Sequence, residues 1–114
     1  MYTYQAVLSR VVDGDTMDIV IDVGFRLTTK QRIRLAKINT PEIFRQDKNS
    51  EEYKRGIRAK TFVEQRLKQN HNKMAIQTSK RQGKFGRYLG TILLEDSDLS
   101  LNEELIREGL AEPA

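Results

Sequence analysis

The chain has 114 residues, 38% of them hydrophobic and 32% charged, which fits one folded domain with a single modest core and excludes a disordered tract. Cysteine is absent and His71 is the only histidine, so disulfides and thiolate or multi-histidine zinc sites are excluded, and a histidine-based triad would have to use His71, which lies in a polar loop stretch. The formal charge of +4 is uneven: residues 1–94 carry 19 basic and 9 acidic residues, whereas from Glu95 onward there are seven acidic residues and one basic residue, Arg107. A body this basic favours a polyanionic partner, although a well-solvated surface carries charge in the same way.

Tyr4 to Val12 reads as a strand that ends at the turn Asp13-Gly14-Asp15. Met17, Ile19, Ile21 and Val23 then alternate with Asp18, Val20 and Asp22, the period of a half-buried strand, and Gly24 breaks it. Gln31 to Ile38 alternates again, with Ile33 and Leu35 on the face opposite Arg34, and Pro41 ends that strand because it cannot donate to a ladder. Ser50 to about Gln69 has helical spacing, with Tyr53, Ile57, Ala59, Phe62, Val63 and Leu67 on one stripe. Ser50 suits the N-cap, and Glu51 and Glu52 face the positive end of the dipole. Lys73 to Lys80 alternates through Met74, Ile76 and Thr78, and Tyr88 to Glu95 is an apolar strand beyond a glycine-punctuated loop. Ser100-Leu101-Asn102-Glu103 is a capping box opening a helix on Leu101, Leu105, Ile106 and Leu110, with Gly109 at its C-terminal cap.

This order predicts an α+β, mainly β domain spanning residues 1–114: a five-stranded OB-fold-like β-barrel with a helix between strands 3 and 4 and a C-terminal helix. An open α+β sheet is the competing architecture. No apolar run is long enough to span a bilayer, so no membrane partner is expected, and Met1 to Gln5 lacks the features of a secretory leader. The expected location is intracellular if Met1 is the native start and secreted if a leader has been removed; a monomer is expected.

Two carboxylates and two guanidiniums are spaced along the chain as phosphodiester chemistry requires: Asp15, Glu42, Arg34 and Arg87. Carboxylates hold a hard cation and activate water, while arginines grip the phosphorus centre. Asp15 lies just past a tight turn at the start of a strand, where its carboxylate can meet a cation; Asp-Gly is also ordinary turn chemistry, and Asp13 is assigned to the turn or to a place behind the ligands. Glu42 follows Pro41 in a segment leaving the barrel, within reach of a metal-bound water, though in isolation it would read as a solvated glutamate. Arg34 on its strand face needs solvent or an anion, and Arg87 follows a glycine where its donors can approach phosphate; otherwise each is a surface ion pair contributing about 0–1 kcal/mol. Lys84 in the same loop is a weaker candidate for phosphate steering, and His71, amid Gln69-Asn70-His71-Asn72, reads as a loop residue.

Four segments in order, Val12–Thr16, Arg34–Glu42, Lys84–Arg87 and Asn102–Ala111, resemble the staphylococcal nuclease (thermonuclease) family from about Val11 to Ala111. The resemblance implies a Ca²⁺-dependent nuclease acting on single-stranded DNA, with RNA as a further substrate, with little sequence preference and leaving 3′-phosphate ends. It implies Asp15, Asn39 and the Thr40 carbonyl as metal ligands, and Glu42 as the general base or the group orienting water. Arg34 and Arg87 would bind the scissile phosphate and stabilise the transition state, with Lys84 and Phe85 on the substrate. The sequence departs from the family pattern in two residues: Asn39 stands where the family has a metal-binding aspartate, and Phe85 replaces a tyrosine. An amide oxygen still ligates Ca²⁺ but without charge, so weaker binding is expected. The sequence also stops before the family's aromatic segment and terminal helix, so a weaker base-stacking surface is expected. The rival reading is a weak or inactive nuclease-like domain that binds nucleic acid or a protein, as in the Tudor-containing relatives. A plain OB-fold single-strand binder ranks last, because several aromatics are expected in the core.

Overall fold

The structure, a computed structural model, describes residues 2–44, 46–82 and 88–114, and of 79–82 the backbone alone. Its elements are β1 (Tyr2–Asp13), β2 (Thr16–Gly24), β3 (Leu27–Leu35), β4 (Ile38–Asn39), α1 (Glu51–Gln69), β5 (Lys73–Gln82), β6 (Tyr88–Leu93), α2 (Leu101–Arg107) and β7 (Glu112–Pro113). Five strands close a barrel in the order β1-β2-β3-β6-β5, and β4 pairs with β7 beside it. The ladders are antiparallel except β3–β6, which runs parallel from Ile33 opposite Tyr88 to Leu35 opposite Gly90. The closed barrel, with α1 inserted before β5, is the OB-like α+β architecture and overturns the open sheet.

Period-two alternation drives the closure. Met17, Ile19, Ile33, Leu35, Ile76 and Ile92 point inward and are fully buried, while their strand neighbours face out. Val63 and Leu67 of α1, and Leu101 and Leu105 of α2, cover the lower end of this core. Each buried aliphatic side chain contributes about 1.5–3 kcal/mol relative to exposure. Both helices start as the sequence predicts: the hydroxyls of Ser50 and Ser100 accept hydrogen bonds from the amides of Tyr53 and Glu103. Gly109 adopts φ 72° one residue past the C-cap Glu108, and Leu110 N donates to Leu105 O, the expected helix stop.

Two polar devices, the first buried and the second partly exposed, fix α2 to the rest. Asn102 donates from Nδ2 to the carbonyls of Ala36 and Gly90 and accepts from Ile92 N, which pins the helix where β3 and β6 meet. Arg66 of α1 donates to Asp96 and to Glu104, tying one helix to the other.

The strand expected over 31–38 differs at both ends. It starts earlier because Phe25 and Arg26 both take left-handed φ (55° and 63°), making a two-residue hairpin that pairs Leu27 with Gly24. It stops at Leu35 because Lys37, φ 64°, turns the chain, and Ile38–Asn39 then pairs with Glu112–Pro113 instead. Pro41 is therefore not what ends the strand. His71 and Asn72, also at positive φ, form the tight turn between α1 and β5, so His71 is the exposed turn residue expected.

Candidate functional site

The site forms where two turns meet at the lower rim of the barrel. Asp13-Gly14-Asp15 carries the chain from β1 into β2, and Leu35 N donates to Asp15 O at 2.8 Å. Thr16 is paired with Arg34 across the β2–β3 ladder, so Asp15 and Arg34 face one another. Arg34 Nη2 lies 3.1 Å from Asp15 Oδ2 and donates to Asn39 Oδ1, while Nη1 donates to the carbonyls of Leu35 and Ile38, both at 2.9 Å. Thr40 N donates to Asp15 Oδ2 at 3.0 Å, and the Thr16 hydroxyl donates to Oδ1. Four residues named from the sequence, Asp15, Arg34, Asn39 and Thr40, thus form one bonded cluster. Lys37 with its left-handed turn is what folds Asn39 and Thr40 back onto Asp15.

Asp15 is only 7% exposed. Burial alone would raise its pKa. The hydrogen bond shared with Asp13, the Thr40 N–H and the Arg34 charge outweigh that and hold Asp15 below the usual carboxylate range. Asp13 sits behind it, accepting from Asp15 N at 3.1 Å, and burial together with the neighbouring Asp15 carboxyl pushes it up to about 7. Asp13 therefore keeps its proton to higher pH than Asp15 does.

Glu42 is exposed, and among the described residues its carboxylate has no hydrogen-bond or ion-pair partner. Its backbone is held instead: Glu42 N donates to Glu52 Oε1 of α1 at 2.8 Å. A Cβ at Gly56 would stand 2.8 Å from the Pro41 carbonyl oxygen and from Ile43 Cγ1, and one at Gly14 would stand 2.7 Å from Ala59 Cβ and 2.9 Å from Thr40 Cγ2. The Thr40–Ile43 segment therefore lies directly on α1. These three residues were not singled out for function in the sequence, where Glu52 served the helix dipole and Gly14 the turn. A glycine inside a helical stripe is the signal that could have marked Gly56. A cavity of about 440 Å³ opens beside the cluster, lined by Asn39, Thr40, Glu52 and Arg55 among others. Arg87, Lys84 and Phe85 lie outside the described residues.

The Asp15 carboxylate, the Asn39 amide oxygen and the Thr40 carbonyl, the groups that the family resemblance names, would together offer a cation a hard all-oxygen set of the kind Ca²⁺ takes. Among the described residues no cluster of three or more His, Cys, Asp or Glu side chains is placed to hold a metal, so the carboxylate count is low. Two of the three donor residues, Asp15 and Asn39, are held by the Arg34 guanidinium, which stands where positive charge is wanted.

Residues 32–114 match the family described as staphylococcal nuclease homologue. The chain belongs to that family. It is also 30% identical over 111 residues to "Endonuclease YhcR" of Bacillus subtilis (strain 168), an alignment that covers 95% of this chain and 9% of that protein. The chain thus spans about a tenth of the length of this curated relative. Membership of that family supports a nuclease-like function.

Proposed function

We propose that this domain is a Ca²⁺-dependent nuclease that hydrolyses single-stranded DNA, and RNA as a second substrate, with little sequence preference, leaving 3′-phosphate ends. What carries the reading is the bonded cluster of Asp15, Arg34, Asn39 and Thr40 beside a Glu42 carboxylate that has no partner among the described residues. Asp15, Asn39 and the Thr40 carbonyl would hold the cation, which when bound neutralises phosphate charge and polarises water. Glu42 takes the proton of the attacking water as its oxygen bonds to phosphorus and the bond to the 5′ oxygen breaks; the departing oxygen takes a proton from solvent to leave as a 5′-hydroxyl, and Glu42 then releases its proton to solvent. Arg34 turns Nη2 from Asn39 to a phosphoryl oxygen while Nη1 keeps its two carbonyls, so the guanidinium meets the developing charge without losing its anchor. Arg87 is assigned the second grip on that phosphate from its motif, and Lys84 and Phe85 the neighbouring substrate contacts.

The non-cleaving alternative has one observation in its favour: Arg34 occupies the Asp15 and Asn39 oxygens, and Asn39 brings no charge to reclaim them for a cation. Digestion of single-stranded DNA with Ca²⁺, with chelator, and with Glu42→Gln separates the two. Cleavage that needs Ca²⁺ and falls about 10²–10⁴-fold in the variant is expected. DNA retained but uncut at millimolar Ca²⁺ would leave a binding module.

A further inference from the structure

Beside the cluster the surface carries two joined depressions. The larger, the cavity of about 440 Å³, is lined by Asn39 and Thr40 of the cluster and by Glu52 and Arg55 of α1. The smaller, of about 210 Å³, shares Pro41, Arg55, Gly109 and Leu110 with it and adds Arg58 and Glu108. Together they form one groove that begins at the candidate site and continues past Pro41.

Arg55 and Arg58 stand three residues apart on α1, so their side chains rise from neighbouring turns of one helix face. A Cβ at Gly56 would stand 2.8 Å from the Pro41 carbonyl oxygen, so the glycine between the two arginines is what lets the Pro41 segment lie against the helix beside them. Both arginines are exposed, and among the described residues neither forms an ion pair or a side-chain hydrogen bond. Other arginines are already engaged: Arg66 of the same helix with Asp96 and Glu104, and Arg32 with Asp18.

Charge divides the groove. The smaller lobe sets two guanidiniums against one carboxylate, Glu108. The larger sets Arg55 against Glu52 and Glu112, and Glu52 already accepts from Glu42 N. An anion is therefore favoured in the smaller lobe alone. Paired guanidinium forks match the oxygens of a phosphate. Because the groove runs from the cluster that would hold the scissile phosphate, the anion brought to this lobe is another phosphate of the same strand.

We propose that Arg55 and Arg58 form a second phosphate subsite, which grips the backbone of the bound strand beyond Pro41. It rests on the nuclease reading for the identity of the ligand, and the two arginines position the strand without touching the reacting atoms.

The test measures binding in chelator, so that nothing is cut, by the anisotropy of a fluorescent single-stranded oligothymidylate. Arg55→Gln with Arg58→Gln should weaken binding about tenfold and lower the slope of log affinity against log salt by about 0.7, one phosphate contact on a single strand. A thymidine dinucleotide, with its single phosphate, should bind this variant and the parent alike. Lys54→Gln with Lys60→Gln removes the same charge from the same helix outside the groove and should leave the slope unchanged. Glu108→Gln, which takes away the facing carboxylate, should tighten oligothymidylate binding. An unchanged slope in an arginine variant that melts like the parent overturns the proposal, and so does an equal loss in the lysine variant. Should the arginine variant not fold, Glu108→Gln decides, and parent affinity there overturns it. Cleavage assays in Ca²⁺ keep the readings separable: cutting by a parent whose binding ignores the two arginines sinks the subsite alone, and arginine-dependent binding without cutting sinks the nuclease alone.

Discussion

The two sides of the candidate site are built in opposite ways. On the barrel side, Asp15 and Arg34 are buried or half-buried, bonded to each other and braced by backbone groups on both flanks. On the helix side, Glu42 is exposed, its carboxylate has no partner among the described residues, and its main chain is fixed by Glu52 and by close contact with α1 at Gly56. The difference separates two tasks. Holding charge in place needs side chains locked by many partners, whereas moving a proton needs a carboxylate left unengaged on a backbone that cannot wander.

The sharpest way to break the barrel side is Arg34→Ala. Loss of a preorganised donor should lower kcat about 10²–10³-fold, measured on single-stranded DNA at saturating Ca²⁺. The Leu35–Ile38 turn also loses its brace, so the melting temperature should fall as well; a variant with near-parent kcat would remove Arg34 from the reaction. On the charge of that same side, Asn39→Asp restores a carboxylate and should lower the Ca²⁺ concentration for half-maximal cleavage about tenfold. No change there would mean that residue 39 does not face the cation.

The helix side is tested by Gly56→Ala. An alanine inside a helix ordinarily gains about 0.5–1 kcal/mol over glycine. Here its methyl would meet the Pro41 carbonyl at 2.8 Å, so a net loss of about 1–3 kcal/mol is expected in denaturant unfolding, with reduced activity. A more stable variant would show that the Glu42 segment does not rest on α1.

The smallest effect concerns the proton behind Asp15. Asp13 has its folded pKa raised to about 7 from 3.8, so its contribution to stability is full below pH 3.8 and is lost as pH rises through about 7. Asp15 is lowered, so its contribution is present above 3.8 and is lost only in stronger acid. Melting in chelator should therefore show stability falling between pH 3.8 and about 7 and levelling off above, and Asp13→Asn should flatten that slope. An unchanged slope would place the titrating group elsewhere.

Elements with a strong period or a capping pair were legible from sequence. Ser50 and Ser100 start their helices where expected, and the inward residues of β2 are those the alternation named. What escaped depends on single residues taking left-handed backbone without glycine: Phe25 and Arg26 in the hairpin, and Lys37 in the turn that splits off β4. Nothing in their chemistry announces that conformation; tertiary pairing imposes it. The same holds at the site. Asp15 and Arg34 were nameable because each bears a group with its own chemistry, and Asn39 and Thr40 through the family pattern, whereas Gly14, Gly56 and the second use of Glu52 exist only as contacts between segments distant in sequence.

The two-residue ladder of Ile38–Asn39 with Glu112–Pro113, extended by Ala114 N donating to Lys37 O, has a kinetic consequence. It joins residues some seventy positions apart, and it holds the strand that carries Asn39 toward Asp15. Contacts of such long sequence separation carry a high closure cost and slow folding. The β1–β5 ladder that closes the barrel, from Tyr2 with Thr78 to Val7 with Lys73, spans a comparable separation but has six residue pairs to offset that cost against two here, so in refolding the barrel signal should return before cleavage does.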